Sequence, residues 1–182
     1  MASDTKQPAP AGTAVPGERD YFTPHVYSMA PHRAVLRSVE AKFMGRVPLA
    51  HPVLDIGCGD GHFASIAYDE RIDVGLDPLW SDLIEAAVRR DVYKMVTQGD
   101  ATRMPFPDGT FNTVVSNCVI EHIPDNESTL REISRVLRPG GTFATTLPSE
   151  HYPDFLLGST LFREAGLASL SERYGDFFNT IS

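Results

Sequence analysis

The stretch Val53 to Phe63, VLDIGCGDGHF, decides the fold. An apolar run holding one acid, Asp55, leads into Gly57, Gly59 and Gly61 at every second position. The run reads as a short buried strand, and the glycines as a turn whose backbone can pass close to a ligand with no Cβ in the way. Two familiar alternatives fit poorly. The dinucleotide fingerprint G-x-G-x-x-G would need a glycine where His62 stands, and a phosphate loop needs Lys and then Ser or Thr where the chain has His62 and Phe63. A ligand without phosphate fits better.

Outward from this loop, short β-type runs alternate with helical segments: PVLDIG, GHFASIAYDE, IDVGLD, SDLIEAAVRR, VYKMVTQGD, FNTVVSN, STLREISRVL and GTFATTLP. That alternation predicts an α/β, Rossmann-like doubly wound sheet, mostly parallel, with helices on both faces. Ahead of it a helix is expected over Pro31 to Met44, with Val35, Leu36, Val39, Phe43 and Met44 on its apolar face. A helix from Ser128 to Leu137 should stop at Pro139, with Gly140 and Gly141 taking left-handed turns and a strand restarting at Thr142.

The second β-type run ends in Asp77, 22 residues after Asp55, where a carboxylate can accept both hydroxyls of a ribose. The third ends at Asp100, placed to accept from an adenine amino group, with Ala101 and Met104 able to line the ring. Each acid also has a structural reading: Asp77 as a helix N-cap ahead of PLWSDL, Asp100 as the closure of a turn.

Four motifs in this order, VLDIGCGDG, GLD, GDATRMPFPDGTFNTVVSNCVIEHI and REISRVLRPGGTF, resemble class I S-adenosylmethionine-dependent methyltransferases. The closest likeness is to the small-molecule type that includes ubiquinone- and menaquinone-biosynthesis-like enzymes, and it covers roughly residues 50 to 148. The resemblance implies S-adenosylmethionine as cofactor. It implies that Asp55, Gly57, Cys58, Gly59 and Gly61 pack against its methionine part, Asp77 and Pro78 against the ribose, and Asp100 and Ala101 against adenine. Asn117 and Cys118 would lie beside the sulfonium, and Glu121 and His122 would match an acid–histidine pair near the reaction centre. His122 is the catalytic-base candidate, against the plainer reading of a histidine that only lines the pocket. Cys118 reads better as a small buried thiol than as a nucleophile.

The resemblance also implies seven strands ending in an antiparallel pair, where the sequence offers five. Residues 1–20 are too poor in large apolar groups to offset the entropy of ordering and read as a disordered tail; 21–148 read as the cofactor-binding core. Residues 149–182, with apolar groups from Phe155 to Phe178, read as two short amphipathic helices over the acceptor site. The chain is then either a fragment of a longer enzyme, or one whose fifth-strand edge is shielded by these helices or by a second copy in a homodimer.

Composition bounds the partners. The 182 residues carry a net charge of −8 and a pI near 5.1, which disfavours nucleic acid and favours a small-molecule acceptor. Two distant cysteines give neither a disulfide framework nor a metal knuckle, no membrane span is evident, and a cytoplasmic location is expected. Aromatics at Tyr21, Phe22, Tyr27, Tyr152, Phe155 and Phe162 suggest an apolar or aromatic acceptor methylated on carbon or oxygen. Two other readings stay open: a cofactor-binding module without turnover, and a Rossmann-type oxidoreductase.

Overall fold

A computed structural model describes residues 19–148. The expectations for the first residues of the tail and for 149–182, including Tyr152, Phe155 and Phe162, lie outside the described residues.

The elements in chain order are α1 (Thr23–Val26), α2 (Pro31–Met44), β1 (Val53–Ile56), α3 (His62–Ala67), β2 (Ile72–Asp77), α4 (Trp80–Val88), β3 (Tyr93–Gln98), β4 (Phe111–Asn117), a 3-10 turn at Ile120–His122, α5 (Asn126–Val136) and β5 (Leu137–Thr146). The five strands pair in the order β3-β2-β1-β4-β5, all parallel. The chain runs outward from β1 through β2 to β3, then crosses back to β4 on the other side of β1. That reversal opens a crevice at the carboxyl ends of β1 and β4, where open α/β sheets take their ligands.

β1 and the centre of β4 are buried on both faces, with Asp55, Thr113 and Ser116 as their buried polar members. Successive side chains alternate between two cores. Val53, Ile72, Tyr93 and Val115 meet α2, α3 and α4 on one face; Leu54, Ile56, Leu76 and Val114 meet α5 on the other through Ile133 and Val136. Among the described residues no helix is long and apolar enough to cross a membrane.

Three local expectations are corrected. The bounds of α2 are as expected, but its buried residues are Ala34, Ala41 and Met44. Val35, Leu36, Val39 and Phe43 are 51, 36, 50 and 62 % exposed. The helix packs against α3 and β5, and its inner face carries small alanines, so the stripe with the most apolar bulk is not the one turned inward. Second, α5 starts at Asn126, two residues before the expected start, because the Asp125 side chain caps it by accepting from the Ser128 N–H at 3.0 Å. Third, β5 begins at Leu137 rather than Thr142. Leu137 pairs with Phe111 and Thr142 with Thr113, so the chain between them bulges out of the ladder. Gly140, at φ +80°, makes that bulge. Gly141 is not left-handed; a Cβ there would lie 2.9 Å from the Arg138 carbonyl oxygen. The short α1 had no signal in the sequence. Tyr21 packs on the core, while Phe22 and Tyr27 are 44 and 70 % exposed.

At the opposite end of the sheet from the crevice, the His51 ring bonds Asp73 at 2.5 Å and Glu70 at 3.1 Å, and Asp73 also accepts from Lys94 and from the Val53 N–H. The Asp73 bond, then the Glu70 bond, raises the His51 pKa. Burial pushes Asp73 up, but bonds from Lys94, His51 and Val53 outweigh it and hold the carboxyl down at about 2. A raised histidine stabilises the fold fully below the unfolded value of about 6.5 and loses that contribution as pH rises through the folded value. The stability difference between the native chain and His51→Ala should therefore shrink above pH 6.5, which urea melts at pH 6 and pH 9 would read.

Candidate functional site

The site grows from the loop after β1. Gly57, Gly59 and Gly61 all have positive φ, at +70°, +50° and +78°, a conformation that costs an L side chain about 1–2 kcal/mol. The Gly57 and Cys58 N–H groups donate to the Leu76 carbonyl at 2.8 and 3.2 Å, tying the loop to β2. The Gly59 N–H donates to Asp77 Oδ2 at 2.9 Å. A Cβ at Gly59 would meet nothing within 4 Å, so the loop crest faces open space.

Asp77, at the tip of β2, is buried, and its Oδ1 accepts from the Leu79 N–H at 2.9 Å. The N-cap of α4 is Leu79, with no side-chain cap bond, so Asp77 shapes the entry turn rather than capping the helix. Asp100 is exposed, and its Oδ1 accepts from the Thr102 N–H and hydroxyl, both at 2.8 Å. The turn-closing role foreseen for Asp100 is present, and it occupies only one of the two carboxylate oxygens among the described residues.

A cleft of about 230 Å³ lies at the carboxyl ends of the strands, below the 300–1,000 Å³ of a full small-molecule site and suited to one ring system. It brings together five residues singled out in the sequence: Gly57, Pro78, Asp100, Ala101 and His122. It also uses Leu76, Val119, Ile123 and Pro124, which the sequence reading passed over. The apolar spacing in CVIEHIP was the available signal. Its lining contains no Lys or Arg.

Other expected residues stand apart. Cys58 is buried toward Gly75, where a Cβ would come within 2.8 Å of its Sγ, and burial pushes its thiol well up. Asp55 is buried beneath the loop and accepts from the Tyr93 hydroxyl at 2.6 Å. Burial raises its carboxyl, the Tyr93 bond lowers it, and the Asp77 charge raises it again, leaving it at about 7.

Asn117 and Cys118 belong to a polar cluster where β4 and β5 end beside α2. Glu40 accepts from Arg37 at 2.7 Å, from the Asn117 amide at 3.2 Å and from the Cys118 thiol at 3.4 Å; the Thr146 hydroxyl donates to Asn117 Oδ1 at 2.6 Å. Cys118 is the one non-glycine residue with positive φ among the described residues, at +50°. Strain of this kind concentrates at functional sites. Burial, then the Glu40 charge, pushes its thiol up to about 11, so it stays protonated and is a poor nucleophile. Iodoacetamide at pH 8 should label Cys118 slowly in the native chain and rapidly in urea; equal rates would contradict this burial.

Nearby, His25 is fully buried, edge-on to His62 at 5.3 Å and stacked on Phe63. Neither of its ring nitrogens has a partner among the described residues, and burial, then the neighbouring His62, lowers its pKa.

The methyltransferase domain family matches residues 54–145. The "probable S-adenosylmethionine-dependent methyltransferase" of Mycolicibacterium smegmatis is 31% identical over 150 residues, covering 80% of this chain and 56% of that protein. The demethylmenaquinone methyltransferase of Symbiobacterium thermophilum is 33% identical over 115 residues, covering 57% of this chain and 45% of that protein. The crystal structure of a SAM-dependent methyltransferase from Thermotoga maritima shares the fold, with a TM-score of 0.58 at 20% identity over 85% of this chain and 73% of that one. The chain spans about half the length of these two curated relatives.

Proposed function

The chain belongs to the methyltransferase domain family, and from that premise we propose that it forms the cofactor-binding core of an enzyme that methylates a small molecule on carbon or oxygen. The class I fold and S-adenosylmethionine as cofactor follow from the membership. The observation that carries the reading is the cleft at the point where strand order reverses, with Asp100 on its wall and no cation in its lining. A dinucleotide would bring a pyrophosphate, which the dinucleotide fingerprint seats at a helix N-terminus behind a third glycine, and His62 stands at that position here. A nucleoside joined to an amino acid brings none, and the open space above Gly59 lets its chain cross the loop.

In this reading Asp100 and Ala101 hold adenine, Asp77 and Pro78 the ribose, and Asp55, Gly57, Cys58, Gly59 and Gly61 the methionine end, with Asn117 and Cys118 beside the sulfur. When bound, the cofactor supplies a methyl group already activated by positive sulfur. The protein's part is to exclude water, align the acceptor with the carbon–sulfur bond and, for an acceptor that keeps its proton, to remove it. His122 is the base in this scheme. A second copy covering the β5 edge and a cytoplasmic setting belong to the same proposal.

Transfer of a labelled methyl group from S-adenosylmethionine to a panel of phenols, quinols and β-dicarbonyl compounds, with DNA and protein as comparison acceptors, tests the reading. Label in the small molecules supports it; label only in the polymers overturns it. His122→Ala should lower transfer to a weakly acidic acceptor by roughly 10²-fold or more at saturating cofactor, a condition needed because His122 lines the same cleft as Asp100 and Ala101. Unchanged transfer in that variant would remove the base assignment.

A further inference from the structure

We infer that Tyr93 is a positioning residue of the cofactor site: its hydroxyl orients the Asp55 carboxylate beneath the glycine loop, toward the ammonium at the methionine end of S-adenosylmethionine. The inference rests on the reading of Asp55 as a cofactor residue. Tyr93 belongs to β3, two strands away from Asp55 in β1, so its side chain must pass across β2 to reach it. Glycines stand where it passes. A Cβ at Gly75 would come within 3.1 Å of one edge of the ring, and a Cβ at Gly61 within 2.9 Å of the other. The ring is thus held between the middle of β2 and the end of the glycine loop, with 5 % of the residue exposed.

A phenylalanine would fill that space equally well. The hydroxyl is what needs explaining, because a buried Tyr O–H is placed where it finds a partner. Its partner is Asp55 Oδ2 at 2.6 Å, and among the described residues Oδ1 accepts no bond. The hydroxyl therefore fixes the rotation of the carboxylate and leaves one oxygen for a ligand crossing the loop.

The groups facing Asp55 are Tyr93 from β3, Asp77 from the tip of β2, Cys58 in the loop and Tyr68 after α3. Burial raises both tyrosines and the thiol, which keeps all three neutral. Asp55 and Asp77 are the only acids in this group, and Tyr93 is the donor that favours the charged form of Asp55. A cationic ligand group binds that form better, so cofactor affinity should rise with pH through the Asp55 titration near 7. It should fall again as the cofactor's own α-ammonium loses its proton at about 8, a loss that cancels when variant and native chain are compared at one pH.

The test compares the full 182-residue chain with Tyr93→Phe and Asp55→Asn by calorimetric titration with S-adenosylmethionine from pH 6 to pH 9. Loss of one charge-assisted bond should move the midpoint up by about one pH unit, making Tyr93→Phe about fivefold weaker at pH 7 and within about twofold at pH 9. Asp55→Asn should bind weakly and without the rise through pH 7. A Tyr93→Phe profile that superimposes on the native one, or that is weaker by the same factor at every pH, overturns the positioning role alone. Asp55→Asn binding as tightly as the native chain overturns the reading of Asp55, and this inference with it. The carboxyl carbon resonance of Asp55, titrated in the native chain, gives a readout that needs no variant. Its midpoint should fall by at least about one unit when cofactor binds; an unchanged midpoint overturns the proposal.

Discussion

Gly57→Ala should lower stability by about 2–5 kcal/mol, the sum of a left-handed backbone penalty and overpacking, whereas Gly59→Ala should cost about 1–2 kcal/mol from the backbone alone. Both glycines are left-handed. They differ in what stands over them. A Cβ at Gly57 would lie 2.3, 2.5 and 2.9 Å from three atoms of the Val119 side chain. Val119 is β-branched and stiff about χ1, and it forms part of the cleft wall, so it cannot swing aside cheaply. Nothing lies within 4 Å of a Cβ at Gly59. For a chain of this size the Gly57 change should lower Tm by about 5–15 °C. Equal shifts for the two variants in thermal melts would mean that Val119 does not rest on the loop as described.

Asp77→Ala should weaken S-adenosylmethionine binding by roughly hundredfold or more. Two hydrogen bonds from ribose hydroxyls to a carboxylate are worth about 1.5–3 kcal/mol each, and tenfold in affinity corresponds to about 1.4 kcal/mol. The carboxylate also holds the Gly59 and Leu79 N–H groups, at 2.9 Å each, so its removal loosens the loop crest and the entry to α4 together. Asp77→Asn keeps one acceptor oxygen and should fall between the native chain and the alanine variant. Calorimetry on a variant shown to be folded decides the matter. An affinity within about threefold of native would remove the ribose assignment.

The centre of the sheet was legible because β1 and β2 are buried runs closed by a glycine and an acid and β4 has a buried centre, as parallel strands covered on both faces require, whereas the outer β3 and β5 are mostly exposed or half-buried. The order of the motifs then fixed the family resemblance. What the sequence hid follows from packing. In α2 the bulky apolar residues Val35, Leu36, Val39 and Phe43 outweigh Ala34 and Ala41 in any periodicity reading, yet the close approach to α3 and β5 takes the alanines. In β5 the Pro139-Gly140-Gly141 punctuation reads as a turn, but the strand pairs with β4 on both sides of it.

The candidate site was legible in part. Gly57, Pro78, Asp100, Ala101 and His122 share one cleft because they all follow strand tips. Asp55 differs because it sits inside β1 and faces the core, where a residue nearly forty positions away completes its bonding. No local pattern predicts a partner at that separation. His122 lines the cleft beside Asp100 and Ala101, while Cys118 turns to Glu40 in α2. Two neighbours in one short motif thus serve different walls, which the left-handed backbone of Cys118 permits.

Calorimetric titration of the chain with S-adenosylmethionine and S-adenosylhomocysteine, with NAD as the control, decides whether the glycine loop holds an S-adenosyl compound. Micromolar binding of the first two and none of NAD is expected, since His62 stands where the dinucleotide fingerprint needs its third glycine. Binding of NAD, or a folded chain that takes up neither S-adenosyl compound, would contradict that expectation.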